Sequence, residues 1–234
     1  MKTSVIIPCF NEEDNLQVLF STWLENISEK NIEVIFVNNG SSDNSKNILN
    51  ELSLKYKDLH NYFRIINLRD NQGYGGGIQK GLDIADGDIL CWCHADNQTK
   101  VGDVIKIIEL YVAQSEMNVL FKGTRMSRSR FDYFFTYVMS FFVRIITGYH
   151  ISDINAQPKV FLSSFYSHDV NYSKDFLFDL DFLLDIKKKE IEIIEHEVTN
   201  LDREFGTPKG GGSLRGKFKL STKTISYLLG YRNG

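Results

Sequence analysis

His94, Asp96 and Gln98 follow the apolar run Ile89–Cys93, and their types and spacing suit a cation seat. Residues two apart at a strand terminus point the same way, so an imidazole and a carboxylate can face one ion, with Gln98 as a further oxygen donor. A divalent cation so held would carry a diphosphate. The bland reading is a strand followed by a polar turn that caps the helix after Thr99. Asp179 and Asp181 open a second segment of interest, a helix running to about Lys188. A carboxylate there can act as a general base, although helix capping and solvation also account for acids at that place.

Such side chains need a scaffold, and the chain alternates strand and helix to provide one. Ser4–Pro8 reads as a strand, and Asn11 caps a helix through about Asn26 with Glu12, Glu13 and Asp14 in its first turn. Ile32–Val37 is a second strand, followed by the polar turn Asn38–Asp43 and a helix over Ser45–Lys57. Phe63–Leu68 is a third strand, and Asn71–Gly77 is a glycine-rich turn into a helix ending near Ala85. Ile89–Cys93, preceded by Gly87, is then a strand buried on both faces, Val119–Gly123 a fifth strand, and Phe131–Thr147 an aromatic helix. The pattern predicts an α/β fold with a mostly parallel sheet covered on both sides, whose ligands collect at the carboxyl ends of the strands.

The glycine cluster does not fit a dinucleotide fingerprint. That motif follows the first strand and needs a third glycine three residues beyond the second, where this chain has Ile78 after its third strand. A phosphate-loop lysine is missing as well. The glycines offer either free amides to an anion or tight packing of a helix start.

Composition narrows the partners. The chain has 234 residues, 42% hydrophobic and 13% aromatic, with a formal net charge of -3, which gives no support to a nucleic-acid binder working through bulk charge. Cys9, Cys91 and Cys93 lack the spacing of a zinc knuckle or redox motif, so reduced thiols in a cytoplasmic protein are expected. The N-terminus enters a strand at once, without a cationic leader. Phe131–Thr147 falls short of the roughly 20 residues of a membrane span and contains Asp132 and Arg144.

In order and spacing, Val5–Glu13, Val37–Asp43, Asn71–Gly75 and His94–Gln98 resemble the family 2 glycosyltransferases with the GT-A fold. Gly123-Thr124-Arg125, the aromatic helix ending Thr147-Gly148, Ile151–Asp153, Phe178–Leu184 and Arg203–Gly206 are similar to segments of the subgroup that transfers a sugar to polyprenyl or dolichyl phosphate. The resemblance implies a nucleotide-sugar site of Pro8, Phe10, Glu12, Asn39, Asp43, Gly73, Lys80, His94, Ala95, Asp96 and Lys209. It implies a metal held by Asp96, Gln98 and His94, catalytic roles for Asp96, Asp179, Asp181 and Arg203, and acceptor binding by Arg125 and Arg130. Family members usually carry acids at 38, 39 and 94. Asn39 keeps an acceptor for a nucleobase but adds a donor, and an imidazole at 94 suits Mn2+ better than Mg2+.

Residues 1–204 are expected to form the catalytic domain, with the nucleotide-sugar half at 1–100 and the acceptor half at 101–204. Thr207–Gly212 reads as a mobile lid or a plain linker. Beyond Glu204 there is no acid, while Lys209, Arg215, Lys217, Lys219, Lys223 and Arg232 accumulate. Phe218, Ile225, Leu228 and Leu229 can share one face there, so 205–234 predicts a lid and a basic amphipathic helix. Together with the arginine-flanked aromatic helix this predicts peripheral attachment at the cytoplasmic face of a membrane. A core or homo-oligomer interface is the plainer use of that helix, and a solvated tail the plainer use of the cations. The alternatives in function are transfer to a soluble or glycan hydroxyl, and a nucleotide-sugar-binding partner protein without turnover.

Overall fold

The computed structural model describes residues 1–27, 30–59, 61–115, 118–126, 130–201 and 214–232. In chain order the elements are β1 (Thr3–Cys9), α1 (Glu13–Ile27), β2 (Ile32–Asn39), α2 (Ser45–Lys55), β3 (Phe63–Leu68), α3 (Tyr74–Leu82), β4 (Ile89–Trp92) and α4 (Val101–Ala113). They continue as β5 (Val119–Arg125), α5 (Arg130–Thr147), β6 (Lys159–Leu162), α6 (Phe178–Lys188), β7 (Glu192–Val198) and α7 (Leu214–Arg232). The seven strands form one sheet in the order β3-β2-β1-β4-β6-β5-β7.

β3, β2, β1 and β4 pair in parallel, β6 runs antiparallel to both β4 and β5, and β7 pairs parallel to β5. With β6 reversed between them, β4 and β5 point the same way. The carboxyl ends of β1, β2, β4 and β5 therefore share one edge. Alternate residues of the inner strands feed two apolar layers. Val5, Ile7, Val34, Phe36 and Cys91 pack with Leu16, Phe20, Trp23 and Ile108 from α1 and α4. Ile6, Ile35, Val37, Leu90 and Trp92 pack with Ile78, Phe178 and Phe182 from α3 and α6. Burial on both faces is why these strands read as continuous apolar runs.

β6 and β7 are not visible as strands in the sequence. β6 is four residues long and begins with Lys159, whose side chain is fully buried. β7, Glu-Ile-Ile-Glu-His-Glu-Val, lies at the sheet margin and is mostly exposed or half-buried, so its apolar content is low. Lys159 is the register partner of Lys122 on β5, and both ammonium groups are buried. Each has carboxylate and carbonyl partners. Lys122 Nζ lies 3.3 Å from Glu195 Oε1 and donates to the carbonyls of Gly123 and Asp153, while Lys159 Nζ lies 2.6 Å from Asp179 Oδ1 and donates to the Ala156 carbonyl. Burial pushes both lysines below their ordinary pKa, against the opposing pull of these acids.

The C-terminal helix differs from its expected form. α7 packs on α5, with Leu228 fully buried in the same layer as Val143. Tyr227 donates its hydroxyl to Asp181, and Lys223 pairs with Asp175 just before α6. Thr224 and Leu228, four apart, point inward, while Phe218 and Leu229 stand exposed, so the four apolar residues expected on one face are divided between two. Among its described side chains α5 buries a narrow stripe that includes Ser140 and Val143. Phe131, Tyr133, Phe134, Tyr137, Phe141 and Ile145 remain exposed.

Candidate active site

β4 ends at Trp92, and the chain then presents His94 and Asp96 at the shared carboxyl edge. His94 Nδ1 lies 3.7 Å from Asp96 Oδ2, with Asp96 buried and a third of the His94 side chain exposed. Asp96 Oδ1 accepts the Gln98 N–H at 3.2 Å. Gln98 donates its side-chain nitrogen to the Leu201 carbonyl at 3.3 Å, and its own carbonyl accepts the Leu201 N–H, which pins this loop to the chain beyond β7. Ala95, between them in sequence, is buried. No group of three or more His, Cys, Asp or Glu among the described residues could hold a metal. Two side-chain donors fit a hard cation that arrives with oxygens already on it, as a diphosphate provides, and do not fit one held by protein alone.

The loops after β1 and β2 interlock. Pro8 and Phe10 are half-buried at the end of β1, and Asn11 takes a left-handed backbone (φ 53) that asparagine tolerates. Glu12 is buried, its carboxylate accepting from Asn15 at 2.7 Å and its N–H donating to Ser45 Oγ at 2.9 Å. Asp43 accepts from the N–H groups of both Glu13 and Ser45 and so joins the starts of α1 and α2. In this structure Asp43 serves as a cap to both helices.

Asn39 is similarly engaged. Its Oδ1 accepts the Gln72 N–H at 2.9 Å, and its Nδ2 donates to the Gly73 carbonyl at 2.8 Å and to Asn71 Oδ1 at 3.3 Å. The amide thus braces the glycine-rich turn against β2, with donor and acceptor both in use. An Asn39→Asp variant loses the donor and sets a carboxylate against a carbonyl in a buried place. It is expected to cost about 1–3 kcal/mol of stability, measured by urea denaturation, instead of improving the fold toward the usual family acid.

The glycines serve close packing. Gly73 has φ 81, and a Cβ there would meet the Lys174 carbonyl oxygen at 2.3 Å; one on Gly75 would meet Phe178 Cβ and the Ser173 carbonyl at 2.5 Å. The Gly76 N–H donates to the Lys174 carbonyl at 2.9 Å, so the segment before α6 caps α3. Lys80 is in the last turn of α3, paired with Asp83 at 3.3 Å and removed from the carboxyl edge where Gly73 starts the helix. The structure does not bring it to the other residues expected to bind the nucleotide-sugar, because α3 runs back along the sheet.

Below His94 lies a buried polar cluster that sequence reasoning largely missed. Asp179 Oδ1 accepts from Trp92 Nε1 at 3.2 Å, Gln157 Nε2 at 3.3 Å and Lys159 Nζ at 2.6 Å. Gln157 Nε2 also donates to the Tyr74 hydroxyl at 2.9 Å, and that hydroxyl lies 3.3 Å from His94 Nε2. Burial, reinforced by the Asp179 charge, holds the Tyr74 phenol protonated well above its ordinary range. Asp179 is therefore an anchored acid in a low-dielectric cluster. Tyr74 stood inside a quoted motif but read only as part of a turn, and Gln157 and Lys159 come close through the topology alone.

At the end of β5, Arg125 is bound by Asp153, with Nη2 2.6 Å from Oδ1 and Nε 3.2 Å from Oδ2. Asp181 accepts from the Ser173 N–H and hydroxyl and from Tyr227, so it anchors α7 to α6. Arg130 begins α5; its side chain lies outside the described residues, as do Arg203, Lys209 and the expected lid at 207–212.

Comparison with known proteins agrees with this architecture. Residues 4–170 match the model of glycosyl transferase family 2. The chain is 28% identical over 208 residues to the undecaprenyl-phosphate 4-deoxy-4-formamido-L-arabinose transferase of Pectobacterium carotovorum subsp. carotovorum (strain PC1), covering 88% of this chain and 62% of that protein. It is 33% identical over 109 residues to the dolichol-phosphate mannosyltransferase of Pyrococcus furiosus, covering 47% of this chain and 30% of that one. The chain thus spans about three fifths or less of the length of these relatives. Among solved structures, glucosyl-3-phosphoglycerate synthase from Mycobacterium tuberculosis, in complex with Mn2+, UDP and phosphoglyceric acid, superposes with a TM-score of 0.72 at 14% identity, covering 100% of this chain and 78% of that one. The GT-A sheet, the paired His94 and Asp96 at its carboxyl edge and the match over most of its length make this chain a member of glycosyl transferase family 2.

Proposed function

We propose that this protein transfers one sugar from a nucleotide-diphospho-sugar to polyprenyl phosphate at a membrane surface, with inversion. The observation that carries the acceptor half is α5. It follows directly from the carboxyl end of β5, on the same edge as His94 and Asp96, and leaves a row of aromatic side chains exposed. Isolated exposed apolar residues are ordinary, but a row on one helix marks an interaction surface, and aromatic rings are favoured where one end is apolar and the other wet. No helix of the described residues is long and apolar enough to cross a membrane. Names of relatives that act on undecaprenyl and dolichol phosphate support the same acceptor.

In the reaction, an acceptor phosphate oxygen forms a bond to the anomeric carbon as the bond from that carbon to the diphosphate breaks. The electron pair departs with the nucleoside diphosphate. An anionic acceptor needs no base, which agrees with Asp179 being clasped by Lys159 and buried. The work left to the chain is placement and charge. His94 and Asp96, with Gln98 beside them, would hold a divalent cation, Mn2+ or Mg2+. When bound, that cation supplies positive charge to the leaving diphosphate. Residues 1–100 would bind the donor through Pro8, Phe10 and Glu12, and residues 101–204 would bind the acceptor, with Arg125 and Arg130 toward its phosphate. Arg203 and Lys209 would serve the diphosphate. Asp43, Asn39 and Gly73 shape the donor half through the contacts described above.

The test is sedimentation with anionic and neutral liposomes at low and high salt, combined with transfer of labelled sugar from a panel of nucleotide sugars to polyprenyl phosphate. Binding to anionic vesicles that weakens with salt, together with labelled lipid, is expected, since the Debye length is about 8 Å at physiological salt. A protein that stays in the supernatant throughout and labels a soluble hydroxyl instead would sink the lipid reading.

A further inference from the structure

Arg125 closes β5 with its guanidinium held along one edge by a single carboxylate. Asp153 Oδ2 accepts the Arg125 main-chain N–H at 3.1 Å and Nε at 3.2 Å, and Oδ1 accepts Nη2 at 2.6 Å. A guanidinium has five N–H donors in one rigid plane. With the Nε edge given to Asp153, the three other protons, two on Nη1 and one on Nη2, point away from that carboxylate. The Arg125 side chain keeps 28% of its surface exposed, against 8% for Asp153. A ligand can therefore reach the arginine without displacing its partner.

Asp153 is itself held from behind. Its carbonyl accepts Lys122 Nζ at 3.4 Å and the Ala156 N–H at 2.9 Å. Lys122 is fully buried and paired with Glu195, which accepts hydrogen bonds from Thr124 at 3.3 Å and from Ser152, the neighbour of Asp153. Asp153 also takes a left-handed backbone, with φ 31. Strain of that kind persists only where the surroundings over-determine it, and it collects at ligand clamps. Charge balance for Arg125 needs no such backing.

We propose that Asp153 is a positioning residue that presents the outer edge of Arg125, on the sheet edge that also carries His94 and Asp96, to the phosphomonoester of the acceptor. Guanidinium and phosphate match in bidentate geometry, so their pairing depends on the direction of the plane as well as on charge. The inference deepens the transferase reading and rests on it for the assignment of Arg125 to the acceptor. An isoprenyl phosphate and a small soluble phosphate bear the same group, and the test separates them.

The full chain is titrated by calorimetry with geranyl phosphate, glycerol 3-phosphate and inorganic phosphate, as wild type, Asp153→Asn, Arg125→Met and the double variant. Asp153→Asn should weaken the tightest of these by about tenfold, the order of one charge-assisted hydrogen bond. In the Arg125→Met background it should add nothing, because Asp153 acts through the arginine. A merely structural role would move the affinity equally in both backgrounds. Spectra of protein labelled with 15N-arginine, assigned through Arg125→Met, give an independent reading. Wild-type Arg125 should show distinct, slowly exchanging Nη signals that shift on adding the phosphate, and Asp153→Asn should average them. Unchanged affinity in Asp153→Asn, an equal loss in both backgrounds, or no phosphate binding that depends on Arg125 overturns the proposal. If Asp153→Asn does not fold, the wild-type spectrum decides, and averaged Nη signals or signals indifferent to phosphate overturn it. Geranyl phosphate bound no tighter than the soluble phosphates, with binding still dependent on Arg125 and Asp153, defeats the lipid reading and leaves the role of Asp153 standing.

Discussion

Asp96→Asn is expected to reduce sugar transfer by about 100-fold or more while the protein melts like its parent. The substitution keeps the shape, and the amide oxygen of asparagine can still accept the Gln98 N–H that Asp96 Oδ1 accepts now. What it removes is the carboxylate paired with His94 at the end of β4, and with it the anionic share of the proposed cation seat. His94→Asp should act in the opposite sense, retaining or raising transfer and shifting the preference toward Mg2+, since a hard oxygen replaces a nitrogen. Initial rates of nucleotide release with Mn2+ and with Mg2+ check both variants. Full activity in Asp96→Asn would remove this residue from the reaction.

Lys159→Met should be the most damaging single change to the fold, at about 3–5 kcal/mol, because it strands the Asp179 carboxylate in the core. Asp179→Leu should cost a similar amount by stranding Lys159, with Trp92 and Gln157 losing an acceptor as well. The double variant should recover much of the loss, which a double-mutant cycle by urea denaturation measures directly. There is a pH signature too. Burial depresses the folded Lys159 pKa below 10.5, although Asp179 pulls it upward. Between that depressed value and 10.5 the unfolded chain binds more protons, so this group makes stability rise with pH through that window. Lys159→Met should lack that rise. A Lys159→Met protein as stable as the wild type would show that the pair carries no such weight.

Legibility followed the range of the interactions involved. β1 to β4 announce themselves as apolar runs because both faces are covered, and α1 to α3 through turns and apolar spacing. His94 and Asp96 were legible because a strand end fixes their direction locally. β6 was not, since four residues beginning with lysine carry no strand period. Its lysine is buried only because α6 delivers Asp179 to it. The bracing contacts of Asn39 were not legible for the same reason, its amide being engaged by a turn more than thirty residues away. Lys80 was placed by likeness to a family, yet the direction of α3 carries it off the edge. The apolar residues of α7 share a face on paper only if the packing of Leu228 against α5 and α6 is ignored.

The reversed strand between β4 and β5 also bears on how the molecule reaches its native state. β4 finds its outer neighbour only after α4, β5 and α5 have been made, since β6 follows all of them in the chain. A chain emerging from its N-terminus first completes a four-stranded parallel layer whose β4 margin has no hydrogen-bonding partner. Such margins template unwanted pairing between chains, and contacts distant in sequence form slowly. Nascent protein should be most prone to aggregation in that interval, and slower elongation before Lys159 should lower soluble yield. The same order of events delays the active site, because Gln157 and Lys159 arrive with β6 and the cluster beneath His94 is incomplete without them.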